Sequence, residues 1–91
     1  MGLTIIAAEY IKDYKIRLVF SGNEERIIDF EPFLKLAGNP MTRKLLDINE
    51  FKKFKIEYGD LIWNDYEMCF PIIDLYENNI LRNISPAAQA A

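Results

Sequence analysis

The chain contains no histidine and one cysteine, and its four glycines are isolated from one another. Without histidine the usual general base near neutral pH and the commonest metal ligand are both missing. A Ser–His–Asp or Cys–His pair cannot be assembled within one chain, and zinc sites of mixed Cys and His ligands are excluded. Gly2, Gly22, Gly38 and Gly59 never cluster, so there is no phosphate-cradling loop of the P-loop or dinucleotide type. Aliphatic hydroxyls are few: Thr4, Ser21, Thr42 and Ser85. These absences argue against an enzyme and imply no cofactor. Cys69 alone cannot form an internal disulfide, a pattern that fits a reducing cytoplasm. No apolar run approaches the ~20 residues that span a bilayer. Residues 1–9 lack the basic start of a signal peptide. Net charge is −3, without the basic excess expected of a nonspecific nucleic-acid binder.

What is present is a packed core. Half of the 91 residues are hydrophobic, which sets the chain apart from disordered sequences. The length is that of one small domain, and such a chain buries only roughly 60–65% of its unfolded surface. Six Phe, five Tyr and one Trp offset this, since each aromatic ring buries a large area. Both a monomer and a homodimer that hides further apolar surface are compatible with this size.

Hydrophobic periodicity places the elements. Residues 3–12 read as a strand apolar on both faces, covered on both sides or lining an interface. Residues 14–20 alternate, with Ile16, Leu18 and Phe20 inward. A turn at residues 21–24, where Gly22 or Asn23 can take positive φ, leads to a strand over 26–30. Pro32 suits the first turn of a short helix that stops at Gly38 in the C′ position. Asn39 and Pro40 have N-cap and N1 character for a second helix with a Met41–Leu45–Ile48 stripe. Asp47 and Glu50 have capping-box spacing. Residues 53–58 alternate again, with Phe54, Ile56 and Tyr58 on one side and a hairpin turn at Gly59-Asp60. Strands over 61–63 and 66–70 and a helical turn over 72–76 follow. The order βββ-αα-βββ-α, two antiparallel three-strand units with short helices, is that of an α+β domain. The domain is expected over residues 1–79, with a frayed tail over 80–91.

Three constellations could carry function. Asp65 and Glu67 would share a strand face near Asp74, and converging carboxylates can hold Mg²⁺ or transfer protons. Solvated turn charges account for the same residues. Arg43, Lys44, Lys52, Lys53 and Lys55 form a basic cluster able to touch phosphates, or simply a wetted sheet face. Trp63, Tyr66 and Phe70 gather around the turn at 64–65, with Tyr76 soon after; Trp63 by itself reads more readily as core, and Tyr66 as the ring most open to a partner. Aromatics near loops anchor protein interfaces, although core packing uses the same residues. Cys69, in an apolar strand with no basic neighbour in sequence, reads as an inert buried thiol.

The order of motifs is similar to a small bacterial family, domain of unknown function 2442. After a first strand, the segments that carry the likeness are DYKIRLVFSGNEERIIDF, EPFLKL, RKLLDINEFKKFKIEYGDLIW and PIIDLY, and the likeness as a whole covers roughly residues 4–77. Tyr14, Leu18, Phe20, Asp29, Leu46, Asp47, Phe51, Gly59, Trp63, Glu67, Pro71, Leu75 and Tyr76 fit the family's pattern. Two departures stand out. Asn64-Asp65-Tyr66 replaces Pro-Asn-Gly after the Trp, and Cys69-Phe70 replaces the acidic position before Pro71. The resemblance implies a small α+β fold and no established activity. It also implies toxin–antitoxin-like two-gene units for some members. Some relatives continue into a helix-turn-helix, for which the fifteen residues after Tyr76 are too few.

The expected function is therefore a non-enzymatic protein-interaction or regulatory module with an unidentified protein partner. A nucleic-acid-binding module through the basic strand face is the alternative, and a carboxylate-dependent metal enzyme is a weaker one.

Overall fold

The computed structural model describes residues 2–64 and 68–81. Three strands come first: β1 (Ile5–Lys12), β2 (Lys15–Phe20) and β3 (Glu25–Asp29). Short helices follow: α1 (Glu31–Leu36), α2 (Pro40–Arg43), a 3-10 turn (Lys44–Leu46) and α3 (Ile48–Phe51). The second half holds β4 (Lys55–Glu57), β5 (Asp60–Trp63), β6 (Met68–Cys69) and α4 (Ile72–Tyr76). The strands form two antiparallel three-stranded sheets, ordered β1-β2-β3 and β4-β5-β6. The fold is α+β, as the order of hydrophobic patterns implies.

In the first sheet the alternation of β2 buries Ile16, Leu18 and Phe20 completely. On β1 the register slips between Ile5 and Ala7. Such a bulge spends one residue without advancing the pairing. Ile5 and Ala8 consequently both pack on the core, while Ile6 is 57% exposed. The two apolar faces of β1 in sequence thus resolve into one core face and one open face.

The caps follow local chemistry. Asn39 accepts from the Met41 N–H and Asp47 from the Asn49 N–H, each opening a helical turn. Two expectations fail in this region. The first helix ends at Leu36, followed by extended Ala37 (φ −67°, ψ 133°), and Gly38 does not take a positive φ. Arg43 instead caps the end, donating to the carbonyls of Lys35 and Ala37. The Met41–Leu45–Ile48 stripe also breaks, because the helix tightens to 3-10 after Arg43. Leu45 and Thr42 are buried, whereas Met41 is exposed.

The second sheet begins with a corrected turn. Glu57 pairs with Asp60, so the two-residue loop is Tyr58-Gly59 rather than Gly59-Asp60. Both loop residues have positive φ, +53° and +81°, the signature of a type I′ hairpin. Gly59 is required twice over. A side chain there would be strained, and a Cβ would lie 2.8 Å from Thr4 Cγ2. The close approach exists because the Gly59 carbonyl accepts from the Ile5 N–H at 2.9 Å, tying the second sheet to β1.

The core lies between the sheets and the helices. Phe51 is its hub, with ring contacts to Tyr10, Tyr14, Phe30 and Trp63. Tyr14 Oη donates to the Leu46 carbonyl beside it. The packed unit reaches Ile80, which is 6% exposed and belongs to the core, one residue beyond the expected boundary at 79. The expected fraying beyond residue 81 falls outside the described residues.

Two outcomes follow from these contacts. Gly59→Ala should destabilise the protein by at least about 1–2 kcal/mol, the cost of a left-handed non-glycine residue, before the clash with Thr4 is added. Trp63→Phe keeps a ring in the core but orphans the buried Phe51 carbonyl, to which Trp63 Nε1–H donates at 2.7 Å. It should cost about 2 kcal/mol. Urea denaturation of each variant against the parent chain measures both.

Candidate functional site

Aromatic side chains that anchor partners must be reachable, and the fold sorts them sharply. Trp63 is wholly buried among Phe30, Phe51 and Phe54, with its indole N–H spent on the Phe51 carbonyl. Of its two readings, partner anchor and core packing, the second holds: β5 alternates the indole into the core. Tyr76 is half-buried, edge-on to Phe20 and covered by the Arg26 guanidinium at 4.6 Å. It closes the end of the first sheet. Tyr66, Asp65 and Glu67 lie outside the described residues.

Of the acidic trio, Asp74 is described, and it is 2% exposed in the first turn of α4. Among the described residues no group of three or more acidic, His or Cys side chains could hold a metal ion. The basic cluster is spread over several elements and largely engaged by its own chain. Arg43 caps α1. Lys52 lies 5.1 Å from the Tyr10 ring centroid, Lys53 pairs with Glu50 at 2.9 Å, and Lys55 pairs with Glu57 at 3.3 Å. Lys44 is exposed on the 3-10 turn.

The residue that stands out was hidden by the misplaced turn. Five described non-glycine residues have positive φ: Asp13, Asn23, Tyr58, Asn64 and Asn78. Four are Asn or Asp, the residues that tolerate this region through local side-chain hydrogen bonding. Tyr58 is the exception, and it is 89% exposed. Alternation through 53–58 points it at the core with Phe54 and Ile56. The two-residue loop turns it out instead. An equal count of strand residues on either side of Tyr-Gly, Lys55–Glu57 and Asp60–Ile62, is the signal that locates this loop.

Apolar side chains are exposed beside this turn and elsewhere on the first sheet. The Ile5–Gly59 bond sets the hairpin beside the start of β1, where exposed Ile6 follows. Ile11 and Ile27 on the first sheet are also exposed. Between them runs a row of charge on the open face: Arg17 bonds Glu25 at 2.8 Å and Glu9 at 3.1 Å. The two carboxylates hold the Arg17 guanidinium above its ordinary pKa, Glu25 contributing most.

Cys69 lies on the last strand and is exposed rather than buried, because β6 turns Met68 inward and Cys69 outward; its Sγ is 3.9 Å from the Phe70 carbonyl. Desolvation raises its pKa, and the Asp60 carboxylate adds to the effect. Both suppress the thiolate, the reactive form.

These features define a small α+β domain of two tethered antiparallel sheets, with an exposed, strained aromatic turn where they meet. The chain belongs to the family described as "Protein of unknown function (DUF2442)", which matches residues 5–80. No curated protein and no solved structure matches it. No helix among the described residues is long and apolar enough to cross a membrane.

The raised pKa of Cys69 has a direct chemical consequence. At pH 8 iodoacetamide should alkylate the folded protein more slowly than it alkylates glutathione. Unfolding in urea should remove the difference, and mass spectrometry of timed samples reads both rates.

Proposed function

We propose that this protein is a non-catalytic interaction module that binds another protein through the surface at the junction of its two sheets, centred on Tyr58 and Ile6. The observation that carries this reading is Tyr58: an aromatic ring held 89% exposed by a backbone conformation that disfavours it. A left-handed residue costs roughly 1–2 kcal/mol when it is not Gly, Asn or Asp. Such strain concentrates at functional positions, and exposed tyrosines are frequent interface anchors. The adjacent Ile6, 57% exposed, adds apolar area. The partner proposed is the product of a neighbouring short gene, as in the toxin–antitoxin-like two-gene units that the family resemblance implies.

The alternatives draw less support. A phosphate-binding face needs unspent cations, and Arg43, Lys52, Lys53 and Lys55 each have partners within the chain. A metal enzyme needs converging carboxylates, and Asp74 is enclosed rather than presented to a cleft.

Tyr58→Asn separates stability from recognition. Asparagine ahead of glycine is the favoured type I′ pair, so the variant should unfold about 1 kcal/mol later than the parent chain. The same variant should lose the protein that the immobilised parent retains from the native host. Retention of that protein undiminished by Tyr58→Asn would move the interface elsewhere. Retention of no protein by the parent chain would defeat the module reading itself.

A further inference from the structure

The first sheet has two edges, and they differ. On β3, Asn78 Nδ2 donates to the Ile27 carbonyl and Arg26 Nε donates to the Tyr76 carbonyl, so the chain around residues 76–78 covers that edge. Among the described residues the outer side of β1 is bonded at Ile5, beside β4 and β5, and beyond that point the register shows which groups the edge offers. The Phe20 N–H donates to Glu24, toward β3, while the Ser21 N–H donates to Thr4, toward β1. Peptide groups alternate sides along a strand, so Leu18 and Ile16 also face β3. Their opposite residues on β1, Ala8 and Tyr10, are non-hydrogen-bonded pairs to β2. The N–H and C=O of both therefore point outward. Ile5 shares this phase, and its N–H is taken by Gly59. Among the described residues Ala8 and Tyr10 have no main-chain partner on this side.

An unpaired edge is a template for another strand, and its charge says which. Glu9 sits between Ala8 and Tyr10, its side chain 64% exposed on the open face. It ends the row Glu25–Arg17–Glu9, in which one cation serves two carboxylates. A cation beyond Glu9 continues the alternation. A second copy of the chain brings the opposite. The two-fold antiparallel register that bonds Ala8 and Tyr10 of each copy sets Glu9 against Glu9 at the closest cross-strand spacing, which is destabilising.

We propose that the β1 edge receives an extended segment of a partner protein as an added antiparallel strand. That segment bonds the peptide groups of Ala8 and Tyr10 and presents a Lys or Arg to Glu9. An apolar residue two positions from that cation lies over exposed Ala7, and one on its other side reaches exposed Ile11, where the register of β1 shifts a second time. The proposal deepens the interaction-module reading and rests on it.

The test uses the full chain and the blocked heptapeptide Thr-Val-Thr-Lys-Thr-Val-Thr, with a Glu-centred control. Nuclear magnetic resonance titration should move the Ala8 and Tyr10 amides. The Lys peptide should bind about five-fold more tightly than the Glu peptide, the range of a cross-strand charge pair. Glu9→Lys should reverse the preference. Ala8→Pro removes an outward N–H at an edge position where proline is tolerated. It should abolish binding with the circular dichroism spectrum unchanged. Equal affinity for both peptides, no binding, or shifts confined to other residues would overturn the proposal. So would a homodimer in sedimentation that Ala8→Pro dissolves, since the edge would then belong to a second copy. A host protein that is lost with Tyr58→Asn yet kept with Ala8→Pro would overturn the strand addition and leave the module reading standing.

Discussion

Everything in this fold closes on one buried hydrogen bond, from the Trp63 indole N–H to the Phe51 carbonyl. The bond joins the end of α3 to β5 inside the core, where both partners would otherwise be costly to desolvate. Around it the Phe51 ring meets Tyr10 and Tyr14 from the first sheet and Phe30 from its exit. Trp63 meets Phe30 and Phe54. Edge and tilted ring contacts of this kind add to the gain from area burial alone. A chain of 91 residues with no disulfide needs such density, because each sheet has only three strands and each helix one or two turns. The short helices cannot stand alone. They persist because Leu34, Leu45 and Phe51 are wholly or almost wholly buried.

Much of this is legible in the sequence. Strict alternation in KIRLVF fixed the inward set Ile16, Leu18 and Phe20. Asn39-Pro40 and Asp47 announced their helical turns, because capping is a contact between residues two or three apart. What stayed illegible depends on non-local geometry. Gly38 has the residue type of a helix stop, but Arg43 supplies the cap from a later helix. Met41 belongs to a helical stripe only if the helix continues, and it tightens to 3-10 instead. The candidate site was harder still. Of the two readings that Trp63 allows, core packing holds, while Tyr58, which alternation groups with Phe54 and Ile56, is exposed. A one-residue shift of the hairpin turn produces that exposure, since side chains alternate with period two.

The same one-residue logic governs β1. Its sequence offers apolar side chains at Ile5, Ile6, Ala7 and Ala8 in a row, and periodicity cannot choose among them. The bulge chooses, placing Ile5 and Ala8 inward and leaving Ile6 in the open. A bulge at a sheet edge often limits unwanted pairing. Here it lies at the start of the strand, and the regular stretch from Ala7 to Tyr10 keeps its outward peptide groups aligned.

Edge strands are normally defended by charge, and Glu9 stands at the centre of that regular stretch. A carboxylate at the centre of an edge repels the same carboxylate of an identical edge brought to it across a two-fold axis. The same carboxylate attracts an edge of opposite charge. Arg17 strengthens the distinction by fixing Glu9 at 3.1 Å, so that its charge stays on the sheet surface instead of sweeping through solvent. A single residue can in this way both oppose self-association and select a basic partner strand, with attraction and repulsion supplied by one charge. The Tyr58 turn, tethered to the start of β1 through Gly59 and Ile5, then lies at the end of the strand where an incoming segment would run off the sheet. In the proposed complex, backbone pairing along β1 and an aromatic contact beside its start act together, the strained turn contributing area that the short edge lacks.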